Sequence, residues 1–275
     1  MLVGEAIRAG AERLSATSDT ARLDAEVLMA HALGASRTDL LLRHMREPAP
    51  AGFAALVARR ADHEPVAYIV GAQDFHGLAL RVSPAVLIPR GDSEALVEAA
   101  LAARPAARRV LDCGTGSGAL LLAVLARLGG ARGVGIDRSA TALAVAAGNA
   151  ATLGLAARSA FLQRDWTRGK WNAGLGGCDL VLANPPYVEN SAELAPSVRD
   201  HEPGGALFAG ADGLDDYRRL IPALPALLAP GGAALVEIGA TQAAAVSGLG
   251  AAAGFAARVH RDLAGRDRVV EFTRE

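Results

Sequence analysis

The sequence predicts an α/β protein: a parallel sheet with helices on both faces, preceded by a small helical domain. Two patterns carry this. After Gly91, short apolar runs alternate with longer stretches of helical period, as expected where each strand is followed by a helix that returns over the sheet. Before residue 61 the apolar residues recur at threes and fours, as in Leu23, Val27 and Leu28 and again in Leu40, Leu41 and Met45, the spacing of amphipathic helices. A chain of 275 residues that is 51% hydrophobic can bury two cores.

In chain order, Ser18 and Asp19 are placed to cap a helix running to Leu33, which Gly34 ends, and Pro48 and Pro50 separate a third helix from a fourth. Residues 65–90 change character. The alternation in Ala79-Leu80-Arg81-Val82, with Gly71, Gly77 and Pro84 as turn residues, predicts a hairpin that bridges two domains. Strands are then expected over 109–112, 133–137, 160–162, 179–183 and 233–238, with helices over 119–128, 140–153, 214–228 and 242–253. Two further strands, 256–260 and 267–272, flank a turn at Leu263-Ala264-Gly265. The expected domains are residues 1–64 (helical), 65–90 (bridge) and 91–275 (α/β).

Charge and composition narrow the function. Lys plus Arg number 28 against 29 Asp plus Glu, so no basic excess points to a nucleic-acid surface or an anionic membrane. Glu5 stands where a secretory signal would be basic, and the Ala-rich stretch 238–257 is too weakly apolar and too interrupted by glycine for a membrane span. The cysteines are Cys113 and Cys178; with no disulfide framework and no metal-ligand spacing, a reducing cytoplasm and no bound metal are expected.

The chemistry is concentrated at strand ends. Asp112-Cys113-Gly114-Thr115-Gly116-Ser117-Gly118-Ala119 leaves the first strand of the α/β region and opens its first helix, so the backbone can pass close to a ligand there. Asp137 ends the next strand, 23 residues beyond Gly114, about where an acid accepts hydrogen bonds from ribose hydroxyls. Loop and acid imply an adenosine-type cofactor. Gly114, Gly116 and Ala119 also satisfy the dinucleotide pattern, so NAD stays open on glycines alone. Asp165-Trp166 follows the third strand and could bond to and stack on adenine, or Trp166 could simply pack on a helix. Asn184-Pro185-Pro186-Tyr187 follows the run 180–183. Its two prolines supply no N–H, so the main chain offers only carbonyl acceptors beside the Asn184 carboxamide and the Tyr187 ring. That suits a planar, proton-bearing NH2 group.

In this order, these pieces resemble the class I S-adenosylmethionine-dependent methyltransferases, and more narrowly the release-factor glutamine N5-methyltransferases (PrmC/HemK family). Four segments carry the narrower likeness: Ala21-Arg22-Leu23-Asp24-Ala25-Glu26; Glu64-Pro65-Val66-Ala67-Tyr68-Ile69 with Gly71 and Phe75; Leu87-Ile88-Pro89-Arg90-Gly91-Asp92-Ser93-Glu94; and Gly210-Ala211-Asp212-Gly213-Leu214 with Tyr217-Arg218. The likeness spans nearly the whole chain. Two positions depart from the family pattern: Gly91-Asp92-Ser93-Glu94 stands for Pro-Asp/Glu-Thr-Glu, and His201 for a Phe before Glu-Pro. A lone His in a polar loop is more often structural than a general base.

The resemblance implies a Rossmann-like, seven-stranded, mostly parallel sheet and a helical domain that recognises substrate. It implies S-adenosylmethionine as cofactor, with Gly114, Thr115, Gly116, Ser117 and Gly118 along its methionine and ribose parts, Asp137 on the ribose and Trp166 at the adenine. Asn184 would face both cofactor and substrate, and Asn184, Pro185, Pro186 and Tyr187 would hold the acceptor glutamine. The implied partner is a peptide chain release factor, methylated on the glutamine of its Gly-Gly-Gln motif, with no membrane and no direct nucleic-acid binding. The alternatives are a ribosomal-protein glutamine, adenine N6 in nucleic acid, and a non-catalytic cofactor-binding module.

Overall fold

The computed structural model describes residues 1–274, and the chain divides into two compact units, residues 1–72 with 194–201 and residues 73–193 with 202–275. In the first, α1 (Val3–Leu14), α2 (Ala21–Leu33), α3 (Arg37–Asp39, continued by a π turn over Leu40–His44), α4 (Phe53–Ala61) and α5 (Val66–Val70) follow one another. They enclose Ile7, Leu14, Leu28, Met29, Leu40 and Phe53. α1 and α4 approach closely because Gly10 has no side chain: a Cβ there would stand 3.1 Å from the Phe53 ring.

The helix expected to be capped by Ser18 or Asp19 begins instead at Ala21, with Thr20 at its cap position. The Ser18 hydroxyl donates to the Asp24 carboxylate at 2.7 Å rather than serving the helix end. Asp24 and Glu26, both in the first family segment, are therefore internal anchors: Asp24 also takes Arg60 at 2.7 Å, and Glu26 takes Arg22 and Arg37. Gly34 ends α2 in the left-handed conformation, as expected.

The second unit begins with the hairpin β1 (Ala72–Phe75) and β2 (Leu78–Arg81), which lies within 65–90 but is preceded there by α5, not anticipated from the alternation. Then come α6 (Glu94–Ala103), β3 (Arg109–Cys113), α7 (Ala119–Arg127), β4 (Arg132–Asp137), α8 (Ala140–Thr152), β5 (Ser159–Gln163) and β6 (Cys178–Ala183). α9 (Pro196–Arg199) belongs to the first unit; α10 (Asp215–Leu220), α11 (Leu224–Leu227), β7 (Leu228–Glu237), α12 (Ala243–Ala252), β8 (Ala256–Arg261) and β9 (Asp267–Thr273) complete the second. Asn149 of α8 pins β2 to the glycine loop, its amide bonding to both backbone groups of Arg81 and to the Ser117 carbonyl.

The expected seven-stranded sheet is present, in the order β5-β4-β3-β6-β7-β9-β8, with β9 antiparallel to its neighbours and the other pairings parallel. Successive residues of β6 serve opposite faces: Leu180 and Leu182 join Leu96, Leu121 and Leu235 on one side, Val181 and Ala183 join Ile136, Tyr217 and Phe272 on the other.

Two expectations need correction. The helix expected over 214–228 is broken into α10, a 3-10 turn (Ile221–Ala223) and α11, because Pro222 and Pro225 each sit in a first turn and cannot continue the preceding ladder. The last parallel strand starts at Leu228, expected to end the preceding helix, rather than at Ala233; its pairing with β6 has a register irregularity between Cys178 and Leu180. Among the described residues no helix is long and apolar enough to cross a membrane.

Candidate functional site

Strand order changes direction between β3 and β6: the chain runs outward from β3 to β4 and β5, then crosses back to β6 and β7. Ligands of open α/β sheets bind at such a switch point, beyond the carboxyl ends of the strands. The cleft found there is lined by Gly114, Thr115, Gly116, Ser117, Asp137, Trp166, Asn184 and Pro186.

The glycine loop is tied down from beneath. Gly114 and Thr115 donate to the Ile136 carbonyl, and the Gly116 N–H donates to Asp137 Oδ2 at 3.0 Å. Gly116 adopts φ +53°, and a Cβ there would meet nothing within 4 Å, so the loop presents bare backbone to open space. Asp137 Oδ1 takes the Ser139 N–H at 2.9 Å. Each carboxylate oxygen thus has one protein donor and acceptor capacity left for a diol. Below the loop Asp112 is fully buried; burial pushes its carboxyl up to about 7, while the Thr115 hydroxyl, donating at 2.7 Å, works the other way. Its other oxygen, Oδ1, has no hydrogen-bond partner among the described residues.

Trp166 packs against the Ile136–Tyr217 core, its indole N–H donating to Asp216 Oδ1 at 2.6 Å, while it also lines the cleft beside Gly114. Trp166 thus packs on the protein core and still has one side open to the cleft. Asp165 is engaged locally, its Oδ1 accepting from the Thr167 N–H and hydroxyl.

The tetrad is divided. Asn184 and Pro186 line the cleft; Pro185 and Tyr187 do not. Asn184 Nδ2 donates to Ser93 Oγ at 3.3 Å. Tyr187 is partly buried against the same core as Trp166, and burial pushes its hydroxyl up to about 12. Its carbonyl accepts from Gln242 Nε2 at 3.1 Å, an amide that also reaches the Gly213 carbonyl. Gly213, at φ +68°, passes so close that a Cβ would overlap the Tyr187 carbonyl. Gly118 does not line the cleft. His201 lies elsewhere, its Nε2 near the Asp62 carbonyl at 3.2 Å.

Residues 5–71 match the PrmC N-terminal domain, and residues 106–210 a methyltransferase domain. The release factor glutamine methyltransferase of Cereibacter sphaeroides is 46% identical, over 98% of this chain and 98% of its own length. That of Caulobacter vibrioides is 44% identical, over 92% of this chain and 89% of its own. The chain belongs to the release factor glutamine methyltransferase family. Among solved structures, the hMettl16 catalytic domain in complex with the MAT2A 3'UTR hairpin 6 covers 79% of this chain and 81% of its own with a TM-score of 0.56; at 16% identity this likeness is one of fold.

Several cleft residues of this methyltransferase were not singled out from sequence. Asp216 holds the indole, and Arg138 spans to the Gly205 carbonyl at 2.7 Å; Arg90 is held from outside the lining by the buried Glu202, which also accepts from the Ile88 N–H at 3.2 Å. Ser93, Arg90 and Pro89 lie inside a segment that carried the family likeness but had no role assigned. The signal was the segment itself: its Leu87, Pro89, Arg90 and Ser93 line the cleft.

Proposed function

We propose that this enzyme transfers a methyl group from S-adenosylmethionine to the side-chain amide nitrogen of a glutamine, that of the Gly-Gly-Gln motif of a peptide chain release factor. The observation that carries the chemistry is the disposition of Asn184: Nδ2 is committed to Ser93, so Oδ1 is the group left to the cleft, and it accepts no hydrogen bond among the described residues. Pro185 does not line the cleft, but its carbonyl accepts no hydrogen bond among the described residues, and we infer that it is the second acceptor for the substrate. Two acceptors and no donor suit an NH2 group and repel a carboxylate, whose oxygens would leave all parties unpaired at about 1–3 kcal/mol each.

When bound, S-adenosylmethionine supplies an electrophilic methyl on a sulfonium. The chain's residues fit it: the bare backbone at Gly116, the open lone pairs of Asp137 and the Trp166 face lie along one cleft. The amide nitrogen of glutamine is a weak nucleophile because its lone pair is delocalised into the carbonyl. Neutral hydrogen bonds contribute about 0.5–1.5 kcal/mol each, whereas holding two reactants in attack geometry can lower a barrier by about 7–11 kcal/mol. Asn184 and Pro185 therefore act mainly by orientation, with Tyr187 backing the site. An N-methylated amide sheds its extra proton readily, so no strong base is needed.

Mass spectrometry of intact release factor incubated with enzyme and S-adenosylmethionine tests this: one methyl on one glutamine is expected. Asn184→Ala should lower that transfer about 100-fold while cofactor binding persists. Label appearing in nucleic acid or a ribosomal protein, and never in release factor, would overturn the assignment.

A further inference from the structure

The two ends of a carboxamide have nearly the same shape, so only the surrounding hydrogen bonds decide which one faces a ligand. For Asn184 the deciding partner is Ser93, buried in the wall of the cleft, whose oxygen receives Nδ2 at 3.3 Å. A serine hydroxyl carries one proton. If that proton pointed at Asn184, the amide would have to turn its oxygen toward Ser93 and its NH2 toward the substrate, donor against donor. What holds the proton away lies behind Ser93. Glu237, at the end of β7 and 1% exposed, stands beside the Ser93 and Tyr187 hydroxyls, and its Oε2 is buried with no hydrogen-bond partner among the described residues. An ionised carboxylate can only accept. That unpartnered buried oxygen draws the Ser93 proton to its side, which leaves the serine lone pair to Asn184.

We propose that Ser93 and Glu237 are positioning residues that set the polarity of the Asn184 amide, turning its oxygen to the substrate NH2; this rests on the amide-methylation reading above. The same carboxylate stands beside the Tyr187 hydroxyl, so one buried acid serves both side chains that flank the two prolines. Arg268 of β9 lies nearby, held by Asp92 at 3.0 Å and Asp262 at 3.3 Å, and its Nε is buried without a partner among the described residues. The charged and titratable groups that face Glu237 are Arg268 of β9, Asp92 of the turn before α6, Tyr187 and, from α10, Tyr217. Burial pushes the Glu237 carboxyl up to about 7, with Asp92 adding to the rise, while the Ser93 hydroxyl, Arg268 and the Tyr187 hydroxyl oppose it. Tyr187 is pushed to about 12 and Tyr217 is raised further, and Arg268 stays charged, so Glu237 is the member of this set that changes charge near neutrality. Protonated, it becomes a donor to Ser93, and the relay reverses.

The test uses the full-length enzyme with intact release factor, measuring kcat, KM and cofactor Kd from pH 6 to 9. Ser93→Ala is expected to lower kcat by about 10- to 100-fold, the cost of a mispaired polar group, with cofactor Kd within about two-fold of wild type. Ser93→Thr, which restores the hydroxyl, should recover most of the loss. Wild type should lose rate below about pH 7, and Glu237→Gln should abolish that acid limb. A Ser93→Ala enzyme with wild-type kcat, a folded Ser93→Thr enzyme no better than Ser93→Ala, or an unchanged acid limb in Glu237→Gln would each overturn the proposal. Should wild type methylate another amine in place of release factor, the substrate assignment fails; the variant-to-wild-type ratios on that acceptor still decide this one.

Discussion

Gly213→Ala isolates how the tetrad is held. Three effects add at this position. The residue sits at φ +68°, where an L side chain costs about 1–2 kcal/mol. The new Cβ would overlap the Tyr187 carbonyl and stand 2.7 Å from Gln242 Nε2, so either the backbone of the tetrad or the Gln242 amide must move. Moving Gln242 strains four contacts, to the Tyr187 and Gly213 carbonyls, the Gly239 N–H and the Tyr217 hydroxyl. Loss of two of them costs about 2 kcal/mol. The total is about 3–4 kcal/mol, or a fall of roughly 6–16 °C in the melting temperature of a unit this size. Gly231→Ala is the control: φ is +71° but a Cβ there meets nothing within 4 Å, so only backbone strain remains, about 1–2 kcal/mol. Thermal melts by circular dichroism and single-turnover methyl transfer measure both variants. Gly213→Ala should be the less stable and should also lower kcat, because the displaced groups carry the tetrad. Equal melting temperatures for the two variants with kcat intact would show that the overlap is relieved without touching Tyr187, and the reasoning would fail.

Asp137→Ala removes a carboxylate that receives two backbone N–H groups and has lone pairs to spare; with charged hydrogen bonds worth about 1.5–3 kcal/mol each, cofactor affinity by calorimetry should fall at least about 10-fold, and a change below two-fold would remove Asp137 from the cofactor site. Asp112 is held protonated by burial, its pKa raised from 3.8 to about 7. The folded state therefore keeps a proton that the unfolded chain releases above about pH 4, so stability is fully present below that value and declines as pH rises to about 7, by roughly 4 kcal/mol in total. Asp112→Asn should flatten urea midpoints across this window; an unchanged slope would refute a raised Asp112. Trp166→Phe deletes the 2.6 Å bond to Asp216 and should destabilise by about 1–3 kcal/mol, while Asp216→Asn, which keeps an acceptor, should cost less; the reverse order would mean that the indole is held by packing alone.

Much of this architecture was legible in sequence because the buried residues of β3, β4 and β6, Val110-Leu111, Ile136 and Leu180–Ala183, form short apolar patches, each leading to the group presented at the strand end: the glycine loop, Asp137 and Asn184. Elements whose form depends on context were less legible. Ser18 resembles a helix cap but bonds to Asp24, because a carboxylate was within its reach. Leu228 fits the end of the apolar helical stretch that precedes it, yet pairing with β6 draws it into the strand. His201 and Trp166 are equally ambiguous as letters; their neighbours, the Asp62 carbonyl and the Asp216 carboxylate, define them.

The sequence by itself determined the order of chemical groups along the chain, the strand ends that present them and the acceptor-only backbone of Pro185-Pro186, since missing N–H groups are a covalent property of proline. Tertiary structure alone decided polarity and support. Ser93, Tyr187 and Glu237 are separated by 94 and 50 positions in the chain, and only the packing of β7 against β6 brings that buried acid beside the tetrad, where its need for donors can dictate which way an amide faces.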